Sequence, residues 1–242
     1  MRKLSAFVCC VLALVACDKH DPILPGVRTA IFKTSNINVK NKNITDIPES
    51  VITNKNEDCP YTQDATNTLW HGERKIFNGF ATSNSVQSNQ KPVCDGKYVY
   101  AGLTTGEVIK IQPQSRKIMW ITDVYRASNM TGGASMVDIV APIIVHKNAV
   151  FVGGLGDAFC KLNATSGEKE WCVDIGVAEP FVITENYAFV ADTDNYLYAI
   201  ATNNGDIFWR TEIEQQIAPK YEKGTIFVGK MKINAENGKK IK

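Results

Sequence analysis

The chain has 242 residues, 44% of them hydrophobic, with 27 Lys and Arg against 25 Asp and Glu. That length suits one large all-β domain or two smaller ones. Arg2 and Lys3 fall in a segment expected to be removed, which leaves 25 basic against 25 acidic groups. This balance argues against nucleic acid as a partner, because no cation surplus is available to displace phosphate counterions. Lys239, Lys240 and Lys242 read as a solvated end.

Residues 1–16 have the parts of a secretory signal: basic Arg2 and Lys3, an apolar run from Leu4 to Val15, and small Ala16 before Cys17. The run is too short for a comfortable permanent span. Leu14-Val15-Ala16-Cys17 resembles the bacterial lipobox, which implies cleavage before an acylated Cys17 and a membrane attachment through its lipid. Asp18 follows, a residue associated in enteric bacteria with inner-membrane retention. Cys9 and Cys10 leave with the signal, so Cys59, Cys94, Cys160 and Cys172 meet an oxidising compartment where disulfides persist. No CxxC motif or Cys/His cluster has metal-ligand spacing, and no metal is expected.

Residues 17–68 are polar, rich in Asn, Lys and Thr, and contain Asp-Pro-Ile-Leu-Pro-Gly near their start. They read as an irregular arm. From 69 to 242 the sequence repeats itself. Pro142 to Trp171 aligns without a gap on Pro180 to Trp209, at a period of 38, with Phe151 over Phe189 and Gly167 over Gly205. An earlier copy runs from Pro92 to Trp120, separated from the next by an insertion from Tyr125 to Asp138. The repeats span 92–124, 142–177 and 180–215, and a partial copy covers 219–242.

Each copy holds four short apolar runs separated by turn residues rich in Asn and Gly, the pattern of antiparallel hairpins. Four strands with an aromatic in the last and a Gly just before it predict an all-β propeller built from four-stranded blades. Three full copies and a fragment make that propeller incomplete. Trp120, Trp171 and Trp209 are expected to pack blade on blade. Trp70 is expected in an extra outer strand that closes a ring against a last blade. Cys160 and Cys172 flank the turn from Asn163 to Gly167, and as near-opposite positions on adjacent strands they are candidates for a disulfide.

The stretches Tyr98 to Trp120, Val150 to Trp171 and Ala188 to Trp209 resemble the quinoprotein-type, or PQQ-like, repeat. With the lipobox, the arm and Gly-Gly-Ala-Ser at 132–135, the chain resembles the BamB family of alphaproteobacterial type. The resemblance implies a lipid-anchored scaffold on the periplasmic side of the outer membrane. It implies binding to BamA-like periplasmic domains of the β-barrel assembly machinery, no enzymatic activity and no cofactor. Family members are eight-bladed, so a shorter chain is expected to associate with itself or to accept strands from a β-rich partner. Two alternatives are another periplasmic PQQ-repeat protein that binds a ligand or cofactor, and a shortened, impaired paralogue.

Chemical motifs are sparse. Asp192, Asp194 and Asn195 form an acidic turn without EF-hand spacing and read as a hairpin turn. Ser135 and Ser166 lack a nucleophile elbow. Gly132 and Gly133 match no phosphate loop and read as a flexible loop between blades, where a scaffold meets its partner.

Overall fold

A computed structural model describes residues 37–54, 58–82, 91–125 and 136–241. Cys17, expected to carry the lipid, and residues 132–135, expected to form a loop between blades, lie outside them. The described residues form nineteen strands and no helix. Three strands, β1 (Tyr61–Gln63), β2 (Leu69–His71) and β3 (Arg74–Phe77), make a three-stranded sheet.

Four four-stranded sheets follow, each ordered as in the chain. The first blade is β4 (Val93–Asp95), β5 (Tyr98–Gly102), β6 (Glu107–Gln112) and β7 (Lys117–Asp123). The second is β8 (Ile144–His146), β9 (Ala149–Gly154), β10 (Ala158–Asn163) and β11 (Lys169–Val173). The third is β12 (Val182–Ile183), β13 (Tyr187–Ala191), β14 (Tyr196–Ala201) and β15 (Ile207–Glu212). The shortened fourth copy still pairs four strands: β16 (Lys220–Glu222), β17 (Thr225–Val228), β18 (Met231–Asn234) and β19 (Lys240–Ile241). Its middle turn contracts to Gly229 and Lys230, with Val228 paired to Met231.

Burial explains the composition of the strands. The middle strands β5, β6, β13 and β14 are buried on both faces because a sheet is covered on each side by its neighbours. Leu69 and Ile76 pack on Val99, Ile109 and Ile111, joining the three-stranded sheet to the first blade. Tyr100, Val108 and Trp120 pack on Val150, Val152 and Leu162 of the second. Phe159 and Trp171 meet Ile183, Val190 and Ile200 of the third. Phe189 and Trp209 meet Tyr221, Ile226 and Ile233 of the fourth.

The expectation for Trp70 needs correction. It lies in β2, the middle strand of its sheet, and is only half-buried. The turn before it explains why. Asp64 accepts backbone N–H groups of Thr66 and Thr68 at 2.9 and 3.0 Å, and Asn67 takes a φ of 60°. Asp192 does the same in the third blade, accepting from Asp194 and Tyr196 at 2.9 and 2.7 Å, with Asn195 at 64°. Counted from that turn, Trp70 stands where Tyr198 stands, and each side chain bonds back to its own turn aspartate. Spacing from Trp120 misassigned it because the next hairpin, at Gly72 and Glu73, is shortened.

Residues 37–54, part of the expected irregular arm, lie against the blades. They carry no strand, yet they form a strap across the third and fourth blades. Val39 bridges Ile207 in parallel, and the N–H groups of Lys40 and Lys42 donate to Ile207 and Phe208 at 2.9 and 3.0 Å. The Ile44 N–H donates to Glu236, and its side chain is buried. Tyr221 donates its hydroxyl to Pro48, and the Ile52 N–H donates to Ile183 at 2.7 Å. Asn54 closes the strap on the second blade, donating to Ile143 and accepting from the Val145 N–H, both at 2.8 Å.

Candidate interaction surface

Trp120, Trp171 and Trp209 occupy one kind of lock. A Cβ built on Gly167 would lie 2.6 Å from the Trp120 ring, on Gly205 2.9 Å from Trp171, and on Gly238 2.7 Å from Trp209. Each ring is therefore pressed against the bare backbone of the next blade, at a left-handed φ of 79°, 77° and 71° respectively. Each indole N–H donates three residues upstream of that glycine, to Ala164, Thr202 and Ala235 at 3.2, 3.0 and 3.0 Å. In the first lock Lys110 also donates to Ala164, and burial pushes its ammonium below the ordinary lysine range.

Two disulfides staple the fold. Cys160 and Cys172 are directly paired across β10 and β11, with Cα atoms 4.1 Å apart. Cys59 is bonded to Cys94 on β4, fastening the start of the three-stranded sheet to the first blade. The second bond had no local signal, since its partners are 35 residues apart in different sheets.

The blades present two unlike ends. At one end the first and third turns of each blade meet: Ala164 donates to Asn148, Thr202 to Asn186 and Ala235 to Gly224. The strap runs over this end, and Lys40 and Asn43 bond Asp206 and Glu236. The Lys40 ammonium holds the Asp206 carboxyl below its usual range. An open cleft of about 230 Å³ here is lined by Ile52, His146, Lys147, Lys161, Glu170 and Glu185. Its charges are paired among themselves, Lys147 with Glu185 and Lys161 with Glu170 at 2.9 Å. Hydrogen bonding and charge from Lys147 lower the Glu185 carboxyl.

At the other end the middle turns meet the connections between blades. Ile139 donates to Leu103, Leu155 to Asp138, Val177 to Gly154 and Thr193 to Gly176. Tyr125 and Val137 pack on Gly106 and Gly156, so the described flanks of the 126–135 segment lie at this end. Each of three connections carries an exposed apolar side chain: Phe80, Met136 and Ile217. In the Asp192 turn, burial raises the carboxyl while the Tyr196 N–H and Tyr198 hydroxyl oppose the rise. Burial and the adjacent Asp192 raise the Tyr198 phenol. Both oxygens of that turn serve the hairpin itself. Among the described residues, no group of three His, Cys, Asp or Glu side chains is placed to hold a metal ion.

Residues 38–232 match the family described as outer membrane protein assembly factor BamB. The chain belongs to this family. BamB of Alkalilimnicola ehrlichii is 21% identical over 128 residues, which are 53% of this chain and 33% of that protein. The crystal structure of BamB from Moraxella catarrhalis superposes with a TM-score of 0.52 at 15% identity, over 82% of this chain and 62% of that one. A quinohemoprotein alcohol dehydrogenase, ADHIIG of Pseudomonas putida HK5, gives 0.54 at 13% identity, over 75% of this chain and 40% of that one. The chain thus spans less than two thirds of the length of each of these proteins. At such identities the two superpositions speak for the propeller fold alone.

Proposed function

We propose that this chain is a lipid-anchored periplasmic scaffold that assists assembly and insertion of β-barrel proteins at the outer membrane. The observation that carries this reading is the family match over 38–232, along a series of blades that are locked rigidly to one another. The end built from middle turns and connections is the surface offered to a BamA-like periplasmic domain. It carries exposed Phe80, Met136 and Ile217, whereas the strap occupies the opposite end. Cys17 supplies the lipid, and the family match supports attachment at the outer membrane. A rigid body with apolar side chains on its connecting loops suits protein recognition.

The experiment is affinity capture of the tagged full chain from envelopes of its own host, probed for BamA and for folded porin in the outer membrane. Capture of BamA that is lost with Met136→Asp or Ile217→Asp, together with less folded porin in a deletion strain, is the expected result. Intact porin levels without the chain, and no BamA in the capture, would overturn it. Binding of a pyrroloquinoline quinone by the purified chain would instead favour a cofactor-binding propeller.

A further inference from the structure

The outermost strands β7, β11 and β15 have the same register, so their free edges can be compared position by position. In β7, Trp120 pairs with Lys110 and Ile118 with Ile111, leaving Met119 bulged. In β11, Trp171 pairs with Lys161 and Lys169 with Leu162. In β15, Trp209 pairs with Ala199 and Ile207 with Ile200. Ile118, Lys169 and Ile207 therefore hold one structural position.

The three edges are treated differently. The edge of β15 is covered by the strap, whose Val39 bridges Ile207 in parallel and whose Ile37 and Val39 pack on the same cluster. Ile207 is 5% exposed as a result. The edge of β11 is guarded by charge, with Lys169 and Glu170 both exposed. Among the described residues the edge of β7 has neither protection at its bulge: Ile118, Met119 and Ile121 are 41%, 38% and 50% exposed. At seven residues β7 is also the longest strand among the described residues. Long, apolar, unguarded edges are templates for strand addition.

Charge distinguishes what would fit. The strap places Lys40 on Asp206, the residue before Ile207. The residue before Ile118 is Lys117, which attracts a carboxylate at that position and repels a lysine. We propose that the outer edge of β7 receives an extended segment of a partner polypeptide as an added parallel strand. Its apolar side chains lie over Ile118 and Ile121, and an acidic side chain faces Lys117. This inference goes beyond the scaffold reading and stands without it, since it rests on the equivalent edge of this chain alone.

The probe is a fluorescent peptide with the sequence of residues 37–44 carrying Lys40→Glu, titrated against the full chain and followed by anisotropy. The unaltered 37–44 peptide is the control. Saturable binding of the Glu peptide, about tenfold tighter than the Lys peptide at low salt, is expected. Ile118→Lys and Ile121→Lys each weaken it at least tenfold. Lys169 occupies the Ile118 position in β11, so that register tolerates a lysine. Lys117→Glu, an exposed swap that leaves the core untouched, inverts the preference between the two peptides. Equal binding of both peptides, or binding indifferent to these substitutions, overturns the proposal. So does a dimer that Ile121→Lys dissociates, which assigns the edge to a second copy. Hydrogen exchange over 117–123 as slow without peptide as over 207–212 assigns it to this chain's own residues and equally overturns it.

Discussion

Removing the side chain of Trp171 while adding one at Gly205 tests whether the blades are held by the ring-on-glycine contact. Trp171 is buried among Phe151 and Phe159, with centroids 6.3 and 5.8 Å away, and its N–H donates to Thr202 at 3.0 Å. Trp171→Ala should cost about 3–5 kcal/mol, the range for a large buried aromatic. Trp171→Phe keeps most of the packing and loses the hydrogen bond, for about 1 kcal/mol plus a small void. Gly205→Ala meets two penalties. A non-glycine residue at a φ of 77° costs about 1–2 kcal/mol, and the new Cβ would sit 2.9 Å from the ring, adding about 1–3 kcal/mol of overpacking. With Trp171 already reduced to Ala, only the backbone penalty remains. A double-mutant cycle from urea unfolding should therefore give a coupling of about 1–3 kcal/mol. A coupling within about 0.5 kcal/mol of zero would show that the ring and Gly205 act independently, and would refute the lock.

Three further outcomes follow from the same geometry. Serine at Cys59 and Cys94 should lower stability by about 4 kcal/mol in the chain-entropy account of a loop of 35 residues, read as a fall in the urea midpoint, and reductant should lower the wild type further because it also opens Cys160–Cys172. Ile44→Ala should cost about 2–5 kcal/mol because its side chain is buried between the third and fourth blades, against less than about 0.5 kcal/mol for a solvated arm. Burial raises Asp192, so its folded pKa exceeds its unfolded one and its ionisation opposes folding above that range. Asp192→Asn still accepts both backbone N–H groups, and its stability relative to wild type should rise as pH goes from 3 to 7. A flat difference would refute the burial argument. Asp192→Ala, which orphans those donors, should be about 1–3 kcal/mol less stable than Asp192→Asn at any pH.

The blades were legible because their determinants are local. Each hairpin states its own turn, and the Gly-to-Trp interval recurs within a single copy, as from Gly167 to Trp171 and from Gly205 to Trp209. Features whose partners are distant left no such trace. The strap bonds through backbone N–H groups of Lys40, Lys42, Ile44 and Ile52, which any residue supplies, so its sequence shows no period. Trp70 misled for a related reason. Its residue type matched the locks, whereas the turn from Asp64 to Asn67, which assigns its strand, copies Asp192 to Asn195 only in its hydrogen bonds and backbone. The insertion between the first two blades was read as an interruption of the repeat. Tyr125 and Val137 tie its two flanks to the end where the middle turns gather.

The two surfaces left open by the strap are neighbours along the chain, which bears on how a partner engages them. β7 ends at Asp123, Val124 donates to Gly106, and Tyr125 then packs on the glycines of that same end. An extended segment added to β7 thus leads directly to the connections that carry Met136. A partner domain docked on that end and supplying its own strand to β7 would gain from both contacts as one tethered unit, raising avidity without new chemistry. A partner that uses only the loops would not. Competition separates the cases: the Lys40→Glu peptide, added at concentrations that saturate β7, should release a partner captured by the wild-type chain. The Ile121→Lys chain should capture that partner more weakly and lose no more to the peptide. Capture that withstands saturating peptide, and that Met136→Asp alone abolishes, would show that the loop end and the β7 edge serve different polypeptides.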